Sequence, residues 1–221
     1  MRNEYFITGY CLIRNKTILC NNKKEVVEEN FVNFAAFIKA LYKKEQLNYP
    51  KFYKMDNLSK LGFLTAELML KESTVLKEYV SEEIGIVISN SSASLDIDSV
   101  HQGTIKDKSN YFPSPSVFVY TLPNILIGEI CIKHQIKGEN AFLIAEKFDA
   151  ELIENYVMNL FEQGSIKACV CGWVEFLEEH YESVLFVVQQ VHEENRIQNE
   201  KNGSLIFNKE NIYQLYNKSG N

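Results

Sequence analysis

At 221 residues with 46% hydrophobic side chains, the chain can bury one sizeable core or two small ones. Acidic residues outnumber basic ones 29 to 23, for a net charge of −6, and no basic block offsets this, so nucleic-acid binding is not expected. No apolar run reaches bilayer length, and five cysteines at irregular spacing do not read as a disulfide framework. A cytoplasmic protein without a membrane span is the expectation.

Glu4 to Arg14 alternates and predicts a strand, and the N-terminal MRNEYFITGY is too polar and short for a signal peptide. Asn21 to Asn30 reads as a charged loop running into a helix, where Phe31, Phe34, Ala35, Ile38 and Leu41 recur at helical spacing. Tyr49-Pro50 marks a break, because the residue before proline avoids helix. Asp56 or Asn57 can cap a helix through Lys71, with Leu61, Leu64, Ala66, Leu68 and Met69 apolar. Ser73 begins a turn or short helix, and Ile84 to Ile88 is a buried strand. Ser89 to Lys108 is a polar loop with some helix; its SNSSAS lacks the glycines and lysine of a phosphate loop. Pro113 and Pro115 bracket a turn, and Asn124 to His134 is helical.

The densest signal lies in Gly138 to Glu175. Asn140 to Ala145 suits a buried strand, and Asp149 can cap a helix carrying Leu152, Ile153, Tyr156, Val157, Leu160 and Phe161. Gly164 stops that helix, and Ala168 to Gly172 is a second apolar strand. A corner between a strand and a helix N-terminus is a common seat for a nucleophile. Here it holds Glu146, Lys147 and Phe148, none an ordinary acyl-transfer nucleophile. Ser183 to Gln189 is a further strand, and HEENRIQNEKNG after Gln190 is linker-like. Leu205 to Phe207 suits an edge strand, and Ile212 to Tyr216 a short docked segment. Strands separated by helices point to an α/β domain with a mostly parallel sheet.

Gly138, the corner, Gly164, Gly172 and Glu175 together resemble the N-terminal half of a β-ketoacyl synthase of the thiolase superfamily. Counting from Gly138 and back from Gly164 both place that family's nucleophilic Cys at Lys147, and the family's closing Glu falls on Glu175. Glu139 stands where the family usually has Pro. Tyr5 to Ile13, Glu83 to Ser89, Ser114 to Gly128 and Ser183 to Gln189 extend the resemblance, which then stops; the family's second half has no counterpart in this sequence. The resemblance implies a thiolase-like half-fold with one mixed five-stranded sheet covered by helices. It divides the chain into a ketosynthase-like domain, 1–190, and a polar tail, 191–221. The helix after the corner is one-sided here, with Glu151, Glu154, Asn155, Asn159 and Glu162 over half its circumference, where the full family has it apolar nearly all round.

The chemistry such a synthase needs is a thiolate and two basic side chains. Lys147 reads as a surface or salt-bridged lysine, paired with Glu146 or Asp149. Cys169 and Cys171 alternate along an apolar strand and read as core residues; Cys11, Cys20 and Cys131 show no partner. His101, His134, His180 and His192 are scattered, and Glu175 is expected to tie down a turn through backbone N–H groups. No catalytic residue, metal site or cofactor is expected. The resemblance implies a non-catalytic subunit, like a chain-length factor, acting with an active β-ketoacyl-acyl-carrier-protein synthase in fatty-acid, polyketide or aryl-polyene type biosynthesis. The alternatives are a stand-alone synthase or acyltransferase with a non-standard nucleophile, and a binding module for acyl chains or acyl carrier protein. The partner would be a full-length synthase or a second copy, with acyl carrier protein a further candidate. The strand Glu139 to Ala145 would pair across a dimer, through Phe142, Leu143 and Ile144, flanked by Val117, Phe118 and Tyr120.

Overall fold

The structure, a computed structural model, describes residues 4–27, 31–109, 111–191 and 203–218. The chain opens with a meander, β1 (Glu4–Arg14), β2 (Thr17–Cys20) and β3 (Lys23–Val26). Helices α1 (Phe34–Lys44), α2 (Asn57–Leu70) and the short α3 (Val75–Glu78) precede β4 (Ile84–Asn90). Then come α4 (Leu95–Ile105), α5 (Pro115–Phe118), a 3-10 turn at Val119–Thr121 and α6 (Ile125–His134). The predicted corner follows, with β5 (Asn140–Ile144), α7 (Ala150–Glu162), β6 (Ala168–Leu177) and β7 (His180–Val191). The tail adds β8 (Leu205–Ile206) and α8 (Lys209–Tyr216).

All described strands join one mixed sheet in the order β3-β2-β1-β7-β6-β4-β5, with β8 on β1. Among them only β4–β5 and β4–β6 pair parallel, so the sheet is mostly antiparallel and not mostly parallel as expected, because hairpins and the β6–β7 turn supply the other pairings. The five expected strands are there, and among the described residues the sheet is larger, with eight strands. The additions are β2, β3 and β8, of which β8 falls on the edge strand read at Leu205 to Phe207. Part of the segment expected as loop, Asn21 to Asn30, is strand because the two-residue turns Asn15-Lys16 and Asn21-Asn22 take positive φ (49°, 61°, 48° and 67°). That geometry matches the twist of a hairpin. It sets Cys11 directly opposite Cys20, and the two form a disulfide across β1 and β2, correcting the expectation that neither has a partner.

Alternation along the strands builds a core on each face. Ile86, Ile88, Val170, Val174, Leu185 and Val187 face α1, α2 and α6. Val87, Cys169, Cys171, Trp173, Val184 and Phe186 face α7 and α8. Helix α2 is buried nearly all round, and its Asp56 accepts from Ser59 N–H at 3.1 Å as the N-cap. Helix α7 is amphipathic: Ile153, Val157 and Phe161 are buried while Glu151 and Glu162 face water. It ends as expected: Gly164 at φ +69° lets Ser165 N–H reach Leu160 O and its own N–H reach Phe161 O, satisfying the last carbonyls.

Candidate functional site

Strands β4, β5 and β6 are parallel, so their carboxyl ends share one rim of the sheet, the usual ligand position in open α/β sheets. The loop after β4 is pinned there by Glu175 on β6. Its Oε2 accepts from Ser91 N–H at 2.7 Å, Ser91 Oγ at 2.5 Å and Ser92 N–H at 3.3 Å, the turn-fixing role expected for it. Asn90 closes the same loop, donating to Ala93 O and accepting from Ala93 N–H. Beside this loop lies an open cavity of about 440 Å³, lined among others by Arg14, Ser91, Glu175, His180 and Glu182.

The strand-to-helix corner runs from Ala145 to Asp149. Asp149 caps α7, accepting from Leu152 N–H at 3.0 Å. Glu146 and Lys147 are exposed, and among the described residues Lys147 enters no ion pair; it stands on the surface. Phe148 turns in and is buried, because the tail covers it. The Tyr216 ring stacks on Phe148 at 3.8 Å between centroids, and Tyr213 meets it edge-on at 5.6 Å. Tyr216 is held in turn by Glu182, which accepts its hydroxyl proton at 2.8 Å, and by the Arg14 guanidinium 4.5 Å from its ring centroid. Helix α8 is anchored further by Lys209, whose N–H donates to Glu154 at 2.8 Å and whose Nζ pairs with Glu151. The polar flank of α7 thus meets the tail.

The remaining chemistry-bearing residues do not converge on the corner. Cys169 and Cys171 are fully buried in β6, and burial, followed by the neighbouring Cys169, pushes the Cys171 thiol well up, away from the thiolate. Burial also raises the Cys131 thiol. His134 meets Glu67 at 2.5 Å between α6 and α2, His101 lies against the Phe118 ring, and His180 borders the cavity. His192 lies outside the described residues. Among the described residues no three His, Cys, Asp or Glu side chains group as metal ligands.

Strand β5 is the edge of the sheet, bonded to β4 alone among the described strands. Ala145 N–H donates to Asn90 O, and Glu139 O accepts from Ile86 N–H. Backbone groups alternate in direction along a strand, so Ala141 and Leu143 point to β4 and Asn140, Phe142 and Ile144 point outward. Ile144 is 55% exposed, as are Phe118 at 58%, Leu122 at 54% and, on α6, Ile132 at 62%. Val117, Phe142 and Leu143 are half-buried, Phe142 packing on the α2 side and Leu143 on the α7 side. Tyr120, expected among the contact residues, turns inward instead and is bonded to Glu129. Glu129 was not legible as special in the sequence; the available signal was a lone acid inside the apolar run ILIGEICI.

No family profile and no curated protein matches the sequence. Solved structures do match, and they define the class: this is the α/β fold of ketosynthases and chain length factors. The ishigamide ketosynthase/chain length factor superposes with a TM-score of 0.63 at 17% identity, over 85% of this chain and 62% of that one. A type II polyketide acyl-carrier protein complex with its ketosynthase, AntDE:AntF bound to the hexaketide, gives 0.62 at 14% identity, over 93% and 66%. The ketosynthase ApeO in complex with its chain length factor ApeC from Xenorhabdus doucetiae gives 0.56 at 11% identity, over 87% and 81%. The chain therefore spans less than two thirds of the first of these and about four fifths of the last.

Proposed function

We propose that the chain is a non-catalytic, chain-length-factor-like subunit that works with an active β-ketoacyl-acyl-carrier-protein synthase. The observation that carries this reading is the corner: an exposed lysine stands at the nucleophile position, and the chain's own Phe148–Tyr216 stack fills the space beside it. Lysine is a poor choice for acyl transfer, since the amide it would form with an acyl thioester does not turn over. The buried thiols of β6 offer no replacement. The reading takes residues 1–190 as the ketosynthase-like unit and the tail as its cover.

Partnership is supported by the edge. Strand β5 offers outward backbone groups at Asn140, Phe142 and Ile144, and an unpaired edge is a template for another strand. In the resembling family this strand pairs antiparallel with its counterpart across the dimer. Two of the structural neighbours are described as a ketosynthase with a chain length factor, and a third as a ketosynthase with its acyl-carrier protein. Fatty-acid, polyketide and aryl-polyene type pathways all suit such a pair. The test is a condensation assay with malonyl and acyl carrier-protein thioesters. The chain alone is expected to be inert, and adding it to a ketosynthase encoded beside it is expected to change yield or product length. Condensation by the chain alone, or no effect on that synthase, would contradict the proposal.

A further inference from the structure

Glu129 is the one charged side chain in the first eight residues of α6, and it is 2% exposed. A buried carboxylate is costly unless donors surround it. Here three do, from two separate segments. Tyr49 Oη donates at 3.0 Å, Tyr120 Oη at 3.2 Å, and Lys51 Nζ lies at 2.8 Å. Burial first, then the bond to Glu129 and its charge, pushes the Tyr49 phenol up to about 12. Burial and then the Glu129 charge raise Tyr120 as well. Both phenols therefore stay protonated, as donors to the carboxylate, throughout the neutral range.

Tyr120 is an exception in its own surroundings. Among the described residues from Tyr111 to Leu122 it alone is buried, while Phe112, Phe118, Val119 and Leu122 are exposed. An exposed apolar segment with one buried side chain takes much of its direction from that side chain. We propose that Glu129 is a positioning residue: through Tyr120 it fixes the segment Pro115–Leu122 in the posture that meets the partner subunit. The partner-facing role rests on the function proposed above; the anchoring does not. A second tie acts at the same place, since Ser94 Oγ donates to Thr121 O at 2.8 Å and joins the turn to the loop after β4. Two ties, one to α6 and one to the β4 loop, stop the segment from pivoting about either. The same carboxylate holds Tyr49 and Lys51, so the α1–α2 connection and the apolar segment share one buried hub.

Hydrogen exchange on the full-length chain tests this. The Val117 and Phe118 amides bond Ser114 O, and the Val119 amide bonds Pro115 O and Val117 O, so their exchange reports opening of the segment. In Tyr120→Phe and in Glu129→Gln these amides are expected to exchange about tenfold faster, the effect of losing one hydrogen bond to a charged group. Amides of β4 and β6 should be unchanged, and affinity for the ketosynthase should fall by a similar factor. Unchanged exchange at 117–119 in both variants would overturn the proposal, and so would a uniform rise across the whole sheet in both. Faster local exchange in a chain that binds no synthase would leave the anchoring standing and remove the partner reading instead.

Discussion

Tyr216→Ala opens the corner and tests how firmly the tail closes it. The ring lies parallel to Phe148, 3.8 Å away at an interplanar angle of 6°, with the Arg14 guanidinium over it. Its hydroxyl donates to Glu182, and its carbonyl accepts from Arg14 Nη1 at 3.4 Å. A stacked pair contributes about 0.5–1.5 kcal/mol beyond its buried area. A cation over the ring adds about 0.5–1 kcal/mol at a part-exposed site. A hydrogen bond to a carboxylate is worth about 1.5–3 kcal/mol. These share one side chain and do not simply add, so a loss of about 2–4 kcal/mol is expected. Tyr216→Phe keeps the stack and loses only the hydroxyl bond to Glu182, for about 1.5–3 kcal/mol. Urea denaturation measures both as a lower midpoint at unchanged slope. A midpoint for Tyr216→Ala indistinguishable from the parent chain would mean that α8 rests on the surface without sealing anything.

Other outcomes follow from the same geometry. A Cβ at position 172, where φ is +151°, would lie 2.0 Å from Val184 O, so Gly172→Ala should cost more than about 3 kcal/mol and is checked by thermal melting. The phenols of Tyr49 and Tyr216 rise from an ordinary 10.0 to about 12, held by burial and then by Glu129 and Glu182 respectively. The folded state thus binds these protons more tightly: their stabilisation is complete below pH 10 and is lost as pH rises through 12. Tyr216→Phe should flatten that alkaline decline in an unfolding series. Incubation with acyl thioesters should add no acyl mass to the chain by intact-mass spectrometry; a stoichiometric adduct abolished by Lys147→Ala or Cys171→Ser would name a nucleophile.

The part of the fold set by local pattern was readable in the residues. Strand β5, the Asp149 cap, α7, the Gly164 stop and β6 follow from apolar spacing and turn chemistry within Gly138–Glu175, where each signal lies next to the one it supports. Glu175 was readable only through the resemblance, which places the family's closing Glu there. The β1–β2–β3 meander was not, because Asn-Lys and Asn-Asn lack the glycine that marks such turns, and without the β1–β2 turn nothing brings Cys20 to Cys11. The docked segment Ile212–Tyr216 could be seen as apolar, yet its target could not, since Phe148 lies far away in sequence. The Glu129 hub is likewise assembled from Tyr49, Lys51 and Tyr120, residues whose meeting depends on how α6 packs beside α2. The direction of each amide in β5 also needed the register: Leu143 points to β4, so a proline there breaks the sheet itself, whereas Ile144 presents the outward amide.

That distinction supplies the most direct test of the central claim, that β5 joins this 25.6 kDa chain to an active synthase. Light scattering on the chain co-expressed with a candidate ketosynthase should give one complex containing both. Ile144→Pro, which removes an outward N–H and leaves the β4–β5 ladder intact, should fold normally and fail to form it. A complex that survives Ile144→Pro undiminished, or a parent chain that stays apart from every synthase offered, would contradict the account.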